Sequence, residues 1–153
     1  HSGRRQRQMC IRDRLRGIGS STDPLLQYLG MKTQLRTVDS KPMNAALTLR
    51  NAELTATQLQ QPLYKASLLL LICEQLMETQ LPRAKTIHAQ IDIQSLEAIE
   101  APSARRVVAK WWEVKSMFDD RERVMSLREA ILRYRSVGCP NRARMLSKRL
   151  HSV

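Results

Sequence analysis

Residues 120–138 read DRERVMSLREAILRYRSVG. Val124, Leu127, Ile131 and Tyr134 recur at i, i+3, i+7 and i+10, the spacing of one face of an α-helix, and Met125 and Leu132 widen that stripe. A half-buried strand would alternate at every second residue, and this segment does not. Asp120 stands where an N-cap belongs, and Gly138 where a residue in the left-handed conformation closes a helix. The segment therefore predicts one amphipathic helix with a start, a buried face and a stop.

The prolines carry the same punctuation through the rest of the chain. They fall at 24, 42, 62, 82, 102 and 140. Proline is tolerated in the first turn of a helix, where its missing N–H would have no partner, and it disrupts a helix interior. A proline about every twenty residues predicts helices of about fifteen residues joined by short loops. Asp23-Pro24 and Ser40-Lys41-Pro42 add N-cap chemistry at two starts. Between the prolines the spacing is helical. Leu25, Leu26, Leu29 and Leu35 mark a first stripe, and Ala46, Leu47, Leu54 and Leu59 a weaker second. Pro62 to Thr79, centred on Leu68-Leu69-Leu70-Leu71-Ile72, is too long and too Leu-rich for a typical strand and predicts a buried helix. Ala84, Ile87, Ile91 and Ile93 begin a fourth segment that can break near Asp92. Val107, Val108, Trp111, Trp112 and Val114 carry a fifth, and Ala143, Leu146 and Leu150 a last short helix after Pro140. About seven helices result. The fold class is all-α: stacked antiparallel helical hairpins, an irregular tetratricopeptide-like (TPR-like) solenoid, favoured over a bundle because two helices and their loops take about forty residues, close to a helical-hairpin repeat. Arg83-Ala84-Lys85-x-Ile87 echoes Arg142-Ala143-Arg144-x-Leu146 faintly, without a strict tetratricopeptide consensus.

Composition agrees. Five glycines and 4% aromatic residues argue against sandwiches, barrels and Gly-rich nucleotide folds, and 42% hydrophobic with 26% charged residues is globular usage. The longest apolar run, Leu68 to Cys73, is a third of what a membrane helix needs, so no membrane association is expected. The net charge of +12 invites a nucleic-acid reading, and its origin decides that question. Residues 1–14, HSGRRQRQMCIRDR, hold five arginines (Arg4, Arg5, Arg7, Arg12, Arg14) and one acid, Asp13. A phosphate-binding arm and a presequence are two readings of this stretch. Residues 4–14 resemble one reading frame of a transposase-type sequencing adapter, so residues 1–14 are read as a non-native artefact, 15–40 as an N-terminal helix and linker, and 41–153 as a helical-repeat segment of a larger protein. Setting residues 1–14 aside leaves 21 basic and 13 acidic groups, or +8 over 139 residues.

Few residues suggest chemistry. There is no GxSxG, Walker A, HExxH, EF-hand or kinase catalytic-loop motif, so no catalytic residue, metal site or cofactor is implied. Cys73 sits in an apolar run and reads as a small core residue, and it and Cys139 lack metal spacing, which fits a reducing, intracellular compartment, nucleus or cytoplasm. His88 reads as a surface or core-edge residue. Asp119-Asp120 and Glu97-Glu100 read as caps and a solvated face. From Ala130 to Val153 there are six basic residues and no acid, but only Tyr134 is available for stacking and it lies on the apolar stripe, so this charge reads as a solvated face. Trp111 and Trp112, about 100° apart on a helix, cannot both face one core; one is expected to anchor it and the other to meet a neighbouring repeat or partner.

At Arg121 to Leu132, RERVMSLREAIL, the chain resembles a motif of the FAT domain of phosphatidylinositol-3-kinase-related protein kinases. Glu122, Val124-Met125, Ser126, Leu127-Arg128 and Ile131-Leu132 match the family's places, with Arg123 where proline is usual. Trp111 or Trp112 stands for the tryptophan that precedes the motif. Gln94 to Ile99 looks like the family's Leu-Glu-containing helix, and Ala46 to Glu74 resembles the helices that open this region in the ataxia-telangiectasia-mutated type. The resemblance spans about Asn44 to Leu132. It implies irregular helical hairpins cradling a C-terminal serine/threonine kinase that lies outside this chain, in DNA-damage or growth signalling, with the parent chain and other proteins as partners. Two other readings stand beside it: a tetratricopeptide-like piece of a multisubunit complex such as the anaphase-promoting complex, and a basic RNA-binding or organellar ribosomal protein.

Overall fold

The computed structural model describes residues 23–37 and 42–152, and every regular element among them is a helix. The eight are α1 (Pro24–Arg36), α2 (Pro42–Gln58), α3 (Pro62–Leu76), α4 (Leu81–Ala89), α5 (Ile93–Glu97), α6 (Pro102–Phe118), α7 (Arg123–Ser136) and α8 (Pro140–His151). The architecture is all-α, as expected. Each of the six prolines lies at the first or second position of a helix, where a residue without an N–H leaves no bond unmade. The eighth helix arises because the predicted fourth segment breaks at Asp92. Its carboxylate accepts from the Ser95 amide at 3.2 Å and the Ser95 hydroxyl at 2.5 Å, starting α5 afresh. Those hydrogen bonds to Ser95 also lower the Asp92 pKa. The segment read as an artefact, residues 1–14, and Ser40-Lys41 lie outside the described residues.

The chain divides into two compact units, residues 1–68 and 69–153, with the division inside α3. In the first, Asp23 caps α1 as predicted, its Oδ1 accepting from the Leu25 and Leu26 amides at 2.9 and 3.4 Å. The buried line of α1 is Tyr28, Met31 and Leu35, whereas Leu25 and Leu29 are exposed. The aromatic ring takes the inner face because it has more apolar area to remove from water: Tyr28 stacks on Tyr64 of α3, centroids 5.1 Å apart. On α2 the buried residues are Ala52 and Ala56, continued by Leu59 just past its end, with Leu47 and Leu54 turned outward. Both expected stripes are thus displaced, retaining only Leu35 and Leu59 in the core.

The second unit is built on α6, α7 and α8. Ala109, Leu127, Ala130, Ile131, Tyr134, Ala143 and Leu146 form its core, with Trp112, Cys139 and Leu150 packed against it. Residues 119–122 join α6 to α7 and 137–139 join α7 to α8, links short enough that packed neighbours must run antiparallel. The second link is a Schellman cap. The Gly138 amide donates to the Arg135 carbonyl, the Cys139 amide to the Tyr134 carbonyl, and Gly138 has φ +75°. The start of α7 departs from expectation. Asp120 does not cap it; Asp119 does the local work, its Oδ1 accepting from the Glu122 amide at 3.3 Å, and α7 begins at Arg123. The helix is therefore phased on Ser126, Leu127, Ala130, Ile131 and Tyr134, all buried. Val124, Met125 and Leu132 do not belong to that stripe and are exposed.

This phase makes two apolar positions on one helix unequal. Leu127→Asp puts an unpaired carboxylate into a 2%-exposed site and should destabilise the chain by about 3–5 kcal/mol. Leu132→Asp, at a 59%-exposed site, should change stability by less than about 0.5 kcal/mol. Urea titrations followed by circular dichroism read both; equal losses would contradict this phase.

Candidate functional site

Two buried polar residues of the second unit lie on α6, whose buried positions are Ala104, Val108, Ala109, Glu113, Val114 and Ser116. Glu113 is fully buried. Arg142, from the first turn of α8, meets it with both prongs of its guanidinium: Nε donates to Oε1 at 2.7 Å and Nη2 donates to Oε2. The Tyr134 hydroxyl of α7 joins the pair, and burial first, then the Glu113 charge and hydrogen bond, raises its pKa. The hydrogen bond that Arg142 itself donates to Glu113 chiefly raises the Arg142 pKa, so the cation persists at every ordinary pH. What the arrangement does is fasten α6 to α8 across α7.

A second cluster lies on the α4 side. His88, 4% exposed, stacks on Trp111 with centroids 4.5 Å apart and meets the edge of Phe118 at 4.9 Å. Its Nε2 lies 3.1 Å from the Trp111 carbonyl; a carbonyl can only accept, so this nitrogen carries the proton. His88 is thus core rather than surface. The two tryptophans share the work differently from expectation. Both are half-buried and touch edge to face at 4.9 Å. Trp111 packs on His88, while Trp112 packs on the α7–α8 core. Lys115 Nζ sits 5.4 and 5.2 Å from the two ring centroids and 2.7 Å from Glu122 Oε2. Neither tryptophan projects freely toward a partner.

The residues matched by the resemblance separate into two sets. Leu127 and Ile131 are in the core with Trp112 against them, and Glu122 is tied to Lys115. Val124, Met125, Arg128 and Leu132 stand in solvent. Sequence reasoning missed Glu113 and read Arg142 as part of a repeat echo and of a solvated basic face, whereas it pairs with Glu113. A partial signal was present: Glu113 stands one turn after Ala109 and directly before Val114, and an acid among buried apolar positions requires a cation.

A cleft of about 440 Å³ is lined by Leu96, Ile99, Val108, Glu97, Glu100, Arg105, Arg133 and Ser136. Arg133 crosses it to Glu97 at 3.2 Å and also pairs with Glu129 at 3.4 Å. Among the described residues no group of His, Cys, Asp and Glu is placed to hold a metal ion. No described helix is long and apolar enough to cross a membrane. Cys73 is fully buried, its thiol donating to the Ala84 carbonyl at 3.4 Å, and desolvation with the neighbouring Glu74 charge pushes its pKa up to about 12; it is a core residue and not a nucleophile. No protein-family model, characterised protein or solved structure matches the chain.

Two measurements follow from these clusters. Arg142→Met leaves the Glu113 carboxylate buried without its cation and should cost about 3–5 kcal/mol, whereas Glu113→Leu/Arg142→Met should recover most of that loss, since apolar residues replace buried ion pairs at little cost. A double variant as unstable as the single one would refute this account of the pair. For His88, burial chiefly lowers the pKa from 6.5, the hydrogen bond to the Trp111 carbonyl opposes this, and the Lys115 charge lowers it further. The unfolded chain therefore takes up the proton first, so stability is complete above the ordinary histidine pKa and declines as pH falls through that value. The melting temperature should drop between about pH 7 and pH 5, and His88→Gln should flatten that slope.

Proposed function

We propose that the chain is a non-catalytic helical scaffold segment from the FAT region of a large phosphatidylinositol-3-kinase-related serine/threonine kinase of DNA-damage or growth signalling, acting in the nucleus or cytoplasm. The observation that carries this reading is the division of RERVMSLREAIL into two faces on α7. Leu127 and Ile131 pack inward against α6 and α8, while Val124, Met125, Arg128 and Leu132 are displayed. A helix that buries one half of a motif and displays the other suits an interior position in a stack, where each hairpin has its own core and also meets something else. The mechanism is mechanical. Burial of each large apolar side chain contributes about 1.5–3 kcal/mol, the Glu113–Arg142 pair holds the relative placement of α6 and α8, and the resulting rigid hairpins position a kinase and its partners.

Sequencing the native transcript beyond the Val153 codon tests the parentage. The reading frame is expected to continue through further helical segments into a kinase catalytic loop and its metal-binding Asp-Phe-Gly. A stop codon shortly after Val153 would remove the kinase reading and leave the hairpins as they are.

A further inference from the structure

The outer face of α7 has a composition that a merely solvated helix does not need. Met125, Arg128, Leu132 and Arg135 follow one another at i, i+3, i+7 and i+10, and all four are exposed. By helical geometry this line lies about 150° around α7 from the centre of its buried face. Leu132 is 59% exposed and Met125 48%, with Val124 beside them at 38%. Arg128 and Arg135 form no ion pair among the described residues, whereas Arg133, two positions before Arg135, is paired twice. The outer line therefore alternates an apolar side chain with an uncompensated cation.

We propose that this stripe is a docking surface for an acidic amphipathic helix of another protein. Apolar side chains of such a helix would seat on Met125, Val124 and Leu132, and flanking carboxylates would meet Arg128 and Arg135. The pattern selects this occupant. A membrane surface calls for a wide apolar face with cations along its borders, but the wide apolar face of α7 is already spent on the core, and the outer apolar residues share a line with the arginines. Nucleic acid calls for stacking platforms between the cations, and Met and Leu occupy those places. The sequence neighbours α6 and α8 lie on the inner face of α7, and the two unpaired arginines on the outer line select a partner rich in carboxylates. The proposal deepens the scaffold reading by naming a partner class, and it holds for any parent protein.

The test uses the whole chain and a synthetic, fluorescein-labelled peptide of about 20 residues, long enough to hold a helix, with Leu at helical spacing and Glu on either side. Wild type is expected to bind this peptide in preference to a scrambled peptide of the same composition, and more weakly as salt is raised. Arg128→Glu/Arg135→Glu should weaken binding at least about tenfold with an unchanged melting temperature, and should gain binding to a peptide carrying Lys in place of Glu. Leu132→Ser should weaken binding to both peptides. Equal affinity for the scrambled peptide, or binding that survives the Arg128→Glu/Arg135→Glu change, would overturn the proposal. So would a stripe-dependent affinity for phosphatidylserine vesicles or a single-stranded RNA without affinity for the acidic helix. Because the readout is binding by this chain, its failure leaves the parentage untouched, and a stop codon after Val153 leaves the docking surface untouched.

Discussion

The Glu113–Arg142 pair governs the second unit. Its partners stand 29 residues apart in the chain, with the whole of α7 between them. A buried carboxylate must be matched by a cation in one geometry, which apolar contacts alone do not demand. Two parallel hydrogen bonds define an angle as well as a distance, so α8 can neither slide nor rotate on α6 without losing one. Between those two helices α7 buries Leu127, Ala130 and Ile131 in the same cluster. Tyr134 then brings its hydroxyl to the pair. The apolar cluster supplies most of the driving force, and the ion pair selects among the packings that the cluster would otherwise allow.

The helix starts marked by proline were legible in the sequence; the start of α7 and the inward faces were not. A proline reports on its own backbone, so each of the six locates a first turn whatever surrounds it. Which side of a helix faces inward depends on what meets it. Leu25 and Leu47 have the hydrophobicity of core residues, yet Tyr28 and Ala52 take the inner positions, one through the ring of Tyr64 and the other through close helix approach. On α7 the displacement is smaller but matters more. Starting at Arg123 after the Asp119 turn, the helix keeps Leu127, Ile131 and Tyr134 in the core and releases Val124, Met125 and Leu132. Glu113 was illegible for a related reason: in Trp-Trp-Glu-Val it resembles any solvated acid, and its partner lies on a helix two connections away.

The resemblance and the geometry meet on α7. Read as a string, Arg121 to Leu132 is a single motif. On the helix it has two faces, one that makes the hairpin and one that the hairpin presents. The separation also explains why composition alone misleads about partners. Lys110, Lys115, Arg133 and Arg142 are paired within the second unit, by Glu74, Glu122, Glu97, Glu129 and Glu113. Arg128 and Arg135 differ in sharing a line with exposed apolar side chains.

Cys73 gives the second unit a built-in clock. Its thiol is sealed beside the Ala84 carbonyl and holds its proton far above neutrality, so alkylating reagents meet it only when the contact between α3 and α4 parts. The half-buried Cys139 sits in the glycine turn into α8, packed on the core of α6, α7 and α8. Their relative labelling rates would time the opening of two separate contacts, without an added probe.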